Sequence, residues 1–469
     1  RAQDAPPDKR DDEPKSHCRL DALMTATAAA DSAGGVASVP AKQDSRSQQG
    51  KQALLGSSAS FQVDSPAEAG KPQASVLSFV AVLLCCVSHF LYGFSLCFTS
   101  PAQGSMEGTP KGADSLVFPP THLAVFTPTQ FTYFASLFTF GAFIGAFAGS
   151  TMSNRLGRKR TLTLSALPHI ASWLATSYAS DPMLLTVLRM VIGFAVGIGA
   201  SILPIYISEV TTPSLRGPLG AVSQLFLTSG LFAINLIGSY ATVVEVDGQT
   251  FCDWRRLSLV GLGVATLLAC IGFMPESPKW LARKGEVQAA KRAIRRLRRG
   301  DTTVEEAELE ASSLLGDETG ASTGSVRYAL ADCKRSLVVA TGMLFFLQFS
   351  GITAVMMFTT DICAKAGFTN AELSTMFVMI ARLVFGSLSV VFIESVGRRP
   401  LLQCSSATMG SCHLILAYYY SMHGTAGAAP SWLALIALMV YVAAFSSGLG
   451  PVPWILVGEV VRAIGFKTF

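Results

Sequence analysis

Two arginines, Arg189 and Arg382, are the only charged residues inside ten long apolar stretches of this 469-residue chain. A guanidinium does not discharge, so in such a setting it needs a carboxylate, water or an anionic ligand. A second pattern occurs twice. NRLGRKR (154–160) and ESVGRRP (394–400) place Gly157 and Gly397 240 residues apart, and Glu209 and Glu459 stand 250 apart. Each glycine permits a tight turn, and the flanking arginine forks can pair with carboxylates at neighbouring helix ends. That is chemistry for ion pairs that form and break, not for bond cleavage. His89 and His169 also lie in apolar stretches and could titrate, although a lone histidine there is more often a hydrogen-bonded packing residue. The ten cysteines include no CxxC pair, so neither a disulfide scaffold nor a zinc site is indicated.

The elements that must position these residues are membrane helices. Half of the residues are hydrophobic and 14% are charged, against about a quarter charged in soluble proteins. A bilayer core of about 30 Å needs about 20 apolar residues per helix. The chain supplies ten such stretches, near 76–100, 129–153, 161–180, 182–208, 217–243, 257–275, 336–360, 373–393, 400–421 and 431–458. Arg382 falls ten residues into the eighth, about 15 Å deep at 1.5 Å per residue. An arginine at that depth costs ~2.5–3.5 kcal/mol unless it meets water or a partner. No intramembrane carboxylate is available to pair with it.

Basic connections set the expected orientation. Arg155, Arg158, Lys159 and Arg160 follow the second helix, Arg398 and Arg399 follow the eighth, and residues 276–335 hold twelve Lys or Arg. All three connections lie on one side, which is therefore expected to be cytoplasmic. The polar, nearly aromatic-free segment 1–74 reads as a disordered cytoplasmic tail, and the loop near 101–128 as facing outward. The net charge of +5 is too balanced to suggest a nucleic-acid partner. The repeated motifs imply two similar bundles, 75–275 and 336–469, joined by a helical linker, 276–335, and a parallel repeat of this kind is a transporter architecture.

PIYISEVTTPSLRG (204–217), MPESPKWLARKG (274–285), QFSGITAV (348–355), ESVGRRP and GLGPVPWILVGE (448–459) stand in the order and helical positions of a known family. Over residues 76–460 the chain resembles the sugar porters of the major facilitator superfamily. YGFSLCFTSPAQGSM (92–106) is most similar to the branch with facilitative glucose and trehalose transporters. The resemblance implies an all-α integral membrane protein of the major facilitator fold, with two pseudo-symmetric helical bundles and twelve helices, ten of them present. It also implies that Glu209, Glu394 and Glu459 pair with Arg155, Arg158, Arg216, Arg398 and Arg399 to latch a cytoplasmic gate, although Asn154 replaces an acidic residue usual there. The alternative is that these arginines only enforce topology.

A sugar site needs uncharged donors and acceptors and an aromatic face. By resemblance these are Gln224, Gln348, Thr353 and Trp454. A buried glutamine could instead join helices, and Trp454 could merely pack. Three positions depart from the family pattern. Leu347 stands where a glutamine is expected, Thr353 where an asparagine is usual, and Arg382 where a sugar-contacting asparagine is common. Arg382 either faces the central cavity, with a differently bound sugar or an anionic solute, or bonds backbone carbonyls or snorkels.

Arg189 matches an arginine that faces an aspartate in proton-coupled members, and Ser95 occupies the aspartate's place. The resemblance therefore implies a hexose-type sugar transporter working by alternating access, with facilitated diffusion favoured over proton symport and with no cofactor or enzymatic step. A sugar sensor, a defective paralogue and a transporter of an anionic sugar-like solute remain alternatives. The chain begins at Arg1 and, after Glu459, ends in VVRAIGFKTF without the proline and arginine pair expected before two further helices. It reads as a fragment, or as a chain lacking those helices.

Overall fold

The computed structural model describes residues 75–107, 126–212, 215–246, 249–298, 334–368, 370–422, 430–454 and 456. The expected tail 1–74, most of the linker beyond Arg298, and Glu459 lie outside the described residues, as do the side chains of Arg216 and Glu394. Residues Gly70–Phe469 form one compact unit.

Among the described residues, helices lie on all ten apolar stretches, and eight of them are long and apolar enough to cross a membrane. The first span is Val76–Cys97 continued by Thr99–Met106, the second Pro128–Leu156, the third Arg158–Tyr178, the fourth Pro182–Val210, the fifth Arg216–Leu236 with a π turn at Ile237–Ala241, and the sixth Trp254–Ala269. The seventh is broken into Lys334–Phe349, Ile352–Met357 and Thr359–Lys365, and Ala371–Val396, Arg398–Met422 and Ser431–Ala444 form the eighth to tenth. The 29-residue second and fourth spans are each about 44 Å long at 1.5 Å per residue, enough to cross a bilayer with several turns to spare.

The starts of these helices are written locally. Thr127, Asp181 and Ser277 accept hydrogen bonds from the backbone N–H three residues on, and each precedes a proline at the first helical position. Thr127 and Gln130 complete a capping box. Gly157 (φ 100) and Gly397 (φ 85) turn the chain between spans two and three and between spans eight and nine, as their repeated motif requires.

Lipid tails are as apolar as leucine, so membrane helices pack through close backbone approach rather than the hydrophobic effect. Spans two and four show it. A Cβ on Gly141, Gly145 or Gly193 would lie 2.0 Å from the backbone oxygen of Met190, Phe194 or Phe138, respectively. Spans one and five approach in the same way through Gly93 and Gly230. The third span packs on the fourth and sixth, while the eighth, ninth and tenth pack together, and the fifth meets the eighth across the two bundles.

Besides the breaks in the seventh span, a short hairpin departs from the expected helices and loops. Val243–Val246 (β1) pairs antiparallel with Gln249–Cys252 (β2), Val243 opposite Cys252. Within the expected helical linker lie the helices Pro278–Arg283 and Val287–Leu297, the latter with Ala290, Ala293, Ile294 and Leu297 buried.

Candidate functional site

The two bundles are tied at the end away from the linker. The breaks in the seventh span free its carbonyls, and polar side chains of the first span use them: Cys97 Sγ donates to Met356 O and Thr99 Oγ1 to Met357 O, both at 2.8 Å. Ser100 Oγ lies 2.8 Å from Thr360 Oγ1 and accepts the Thr360 N–H at 3.3 Å. The Phe131 and Phe358 rings meet edge-on beside them. Gly351 (φ 79) sits at the first break, where Ser350 O accepts the Tyr441 hydroxyl at 2.8 Å and His413 Nε2 approaches to 3.2 Å.

Toward the linker end the expected sugar contacts stand open. Gln224, Gln348 and Trp454 are exposed and Thr353 is half-buried, one residue from the first bundle and three from the second. Gln224 shares a helix face with Thr228 one turn on. That face is directed at the second bundle, since a methyl group on Gly386 would lie 3.8 Å from Thr228 Cγ2. Farther along the fifth span, buried Asn235 donates to Leu231 O at 2.8 Å.

Arg189 and Arg382 are both buried. Arg189 is packed among Phe98, Phe134 and Phe138, its guanidinium carbon 4.6 Å from the Phe138 ring centre. Its three nitrogens have no hydrogen-bond partner among the described residues, and neither does the Ser95 hydroxyl. Cation–π attraction replaces the missing carboxylate here. Arg382 lies 5.3 Å over the Phe445 ring, with Tyr92, Cys97 and Tyr441 as its electrostatic neighbours. His89 and His169 are packing residues, the latter fully buried, with Nδ1 of each unpartnered among the described residues.

At the linker end, Arg158 grips Glu209 with two bonds, Nε to Oε2 at 2.9 Å and Nη2 to Oε1 at 3.1 Å, and sends Nη1 to Ser153 O. Both side chains are under a tenth exposed. Glu209 also accepts from Ser277 Oγ at 2.6 Å, and Glu276 Oε1 accepts the backbone N–H groups of Lys159 and Ser277. A carboxylate at the first turn of the third span also meets the positive end of that helix. Trp280 Nε1 donates to Asn154 O, so this backbone oxygen, not a side-chain acid, serves the motif there. Arg155, Arg398 and Arg399 are exposed. Glu276, Ser277 and Trp280 all belong to the MPESPKW motif, which pointed to the family without revealing that it clasps Glu209.

Across residues 72–463 the chain matches the family model described as Sugar (and other) transporter. Sugar transporter ERD6-like 6 of Arabidopsis thaliana is 30% identical over 402 residues, spanning 83% of this chain and 76% of that protein. Facilitated trehalose transporter Tret1 of Apis mellifera ligustica is 29% identical over 398 residues, spanning 83% and 74%. Among solved structures, a partially occluded inward-open conformation of the xylose transporter XylE from E. coli superposes with a TM-score of 0.67 at 20% identity, over 84% of this chain and 89% of that one.

Proposed function

The chain belongs to the Sugar (and other) transporter family and has the major facilitator fold, and from that premise we propose that it carries a sugar across a membrane by alternating access, with no enzymatic step. The observation that carries this reading is the asymmetry between its two ends. Hydrogen bonds from the first span to the broken seventh span close one end, while Gln224, Gln348 and Trp454, which lie nearer the other end along their spans, are exposed. A rigid-body rocking of the bundles exchanges the closed and open ends about these side chains. Spans two and four, in backbone contact through their glycines, move as one piece.

The linker end is cytoplasmic in this reading, because the basic connections gather there. The Arg158–Glu209–Ser277 clasp holds the first bundle's side of the gate, and Arg155, Arg216, Glu394, Arg398, Arg399 and Glu459 supply the contacts that cross it in the opposite state. Transport is facilitated diffusion. Arg189 has aromatic rings and Cys97 around it rather than a carboxylate, so the usual proton carrier is absent from its side.

Counterflow into proteoliposomes tests the proposal with labelled glucose, xylose, trehalose and acidic monosaccharides. Saturable uptake of at least one, abolished in Gln224→Ala and indifferent to an imposed pH gradient, is expected. Folded protein that moves none of them overturns the reading, and uptake that follows the proton gradient overturns the uniport assignment.

A further inference from the structure

The eighth span carries a charge whose partner is missing. Arg382 is 6% exposed, and its Nε and Nη1 have no hydrogen-bond partner among the described residues. Its electrostatic neighbours, Tyr92, Cys97 and Tyr441, come from both bundles, and none is acidic. The Cys97 thiol is already committed as a donor to Met356 O. Among the described residues no backbone carbonyl accepts from either nitrogen, and the Phe445 ring lies 5.3 Å from the guanidinium carbon. A buried guanidinium without an acidic neighbour favours an anion, and its desolvated fork is suited to a carboxylate or phosphate.

The spacing fits a sugar that carries such a group. The fifth and eighth spans run antiparallel and meet at Thr228 and Gly386. Gln224 lies one turn from this level toward the linker, and Arg382 one turn beyond it in the other direction. Eight residues of helical rise set them about 12 Å apart along the axis. An axial interval of this size matches one monosaccharide lying alongside the Thr228–Gly386 contact, with its hydroxyls toward Gln224 and its charged end toward Arg382.

We propose that the solute carried by this chain is an anionic monosaccharide, a sugar bearing one carboxylate or phosphate ester, and that Arg382 binds the anionic group. The proposal rests on the sugar-transporter reading and narrows its substrate. Arg382 costs the empty carrier an unpaired charge, which the bound solute neutralises.

The test uses the full chain in proteoliposomes, with labelled glucose, glucuronate and glucose phosphate as probes and wild type, Arg382→Gln and Arg382→Lys as proteins. Wild type is expected to take up an anionic sugar at least tenfold better than glucose. Arg382→Gln is expected to reduce that preference about 10- to 100-fold, the loss of one charge-assisted interaction, and Arg382→Lys to keep part of it. Glucuronate against glucose phosphate identifies the anion. Chloride and inorganic phosphate as competitors distinguish a sugar anion from a simple ion: competition by the simple ions alone overturns the proposal. Equal wild-type uptake of glucose and the anionic sugars also overturns it and leaves the transporter reading standing. That ratio decides even where Arg382→Gln fails to fold. Uptake of no sugar at all is the distinct outcome that removes the underlying reading.

Discussion

Replacing Glu209 by Gln removes the charge that Arg158 holds with two of its nitrogens. Arg158, 4% exposed, then keeps Ser153 O and a single amide oxygen, and Ser277 Oγ loses a charged acceptor. Removing one partner of a buried pair costs about 3–5 kcal/mol. The retained amide oxygen and the proximity of water at the helix end reduce this to about 2–3 kcal/mol here. Arg158→Gln has a similar cost, because it leaves Glu209 with only Ser277. The double variant leaves no buried charge, so its loss is expected to be about that of either single one, a coupling energy of about 2 kcal/mol. Equilibrium unfolding of the four proteins in one detergent, followed by tryptophan fluorescence, measures the cycle. Single losses that add to within about 0.5 kcal/mol would show that the two side chains act independently and refute the clasp.

Three further outcomes follow from the packing and the charges. Gly145→Leu places a side chain where its Cβ already meets Phe194 O at 2.0 Å, so the yield of folded protein is expected to collapse, overpacking alone costing about 1–3 kcal/mol or more. Gly220→Ala, with nothing within 4 Å, is expected to be neutral by size-exclusion profile. Burial is the main cause that raises the pKa of Glu107 at the closed end; repulsion from Asp361 adds to it, and Gln103 and Lys365 partly oppose it. A carboxyl with a raised folded-state pKa favours the fold fully below its unfolded pKa and loses that contribution as pH rises through the folded value. The thermal stability of wild type relative to Glu107→Gln is therefore expected to be lower at neutral pH than in acid, and a pH-independent difference would exclude this.

Much of the fold was legible because the bilayer imposes a single strong rule, about twenty apolar residues per crossing. The second span, expected at 129–153, runs Pro128–Leu156, and the fourth, expected at 182–208, runs Pro182–Val210. Thr127 and the Asp181–Pro182 pair mark two of those starts in the sequence. The breaks in the seventh span were less legible, since Gly351 is one of many glycines in membrane helices and only tertiary contacts show why its left-handed turn matters. The β1–β2 hairpin was missed although Asp247-Gly248 between alternating residues is a hairpin signal. The apolar valines at 243 and 244 read instead as the end of a helix.

The site divides in the same way. That Arg382 lacked an acidic partner could be read from composition alone, but its place over Phe445 depends on how the eighth and tenth spans cross. Glu209 and Arg158 were paired by motif, whereas Ser277 needed the structure, because its contact bridges 68 residues. Cys97 carried no signal of its own, since it sits among apolar residues; only its bond to Met356 O across the bundles gives it a role.

Locking the closed end tests alternating access most directly. Ser100 Oγ and Thr360 Oγ1 lie 2.8 Å apart across the two bundles, so Ser100→Cys with Thr360→Cys is positioned to form a disulfide on mild oxidation. Wild type carried through the same treatment controls for the native cysteines. With the bond confirmed by mass spectrometry, sugar counterflow is expected to stop and to return on reduction, because the bundles must part at this end to admit solute. Undiminished counterflow through the cross-linked protein would contradict the account.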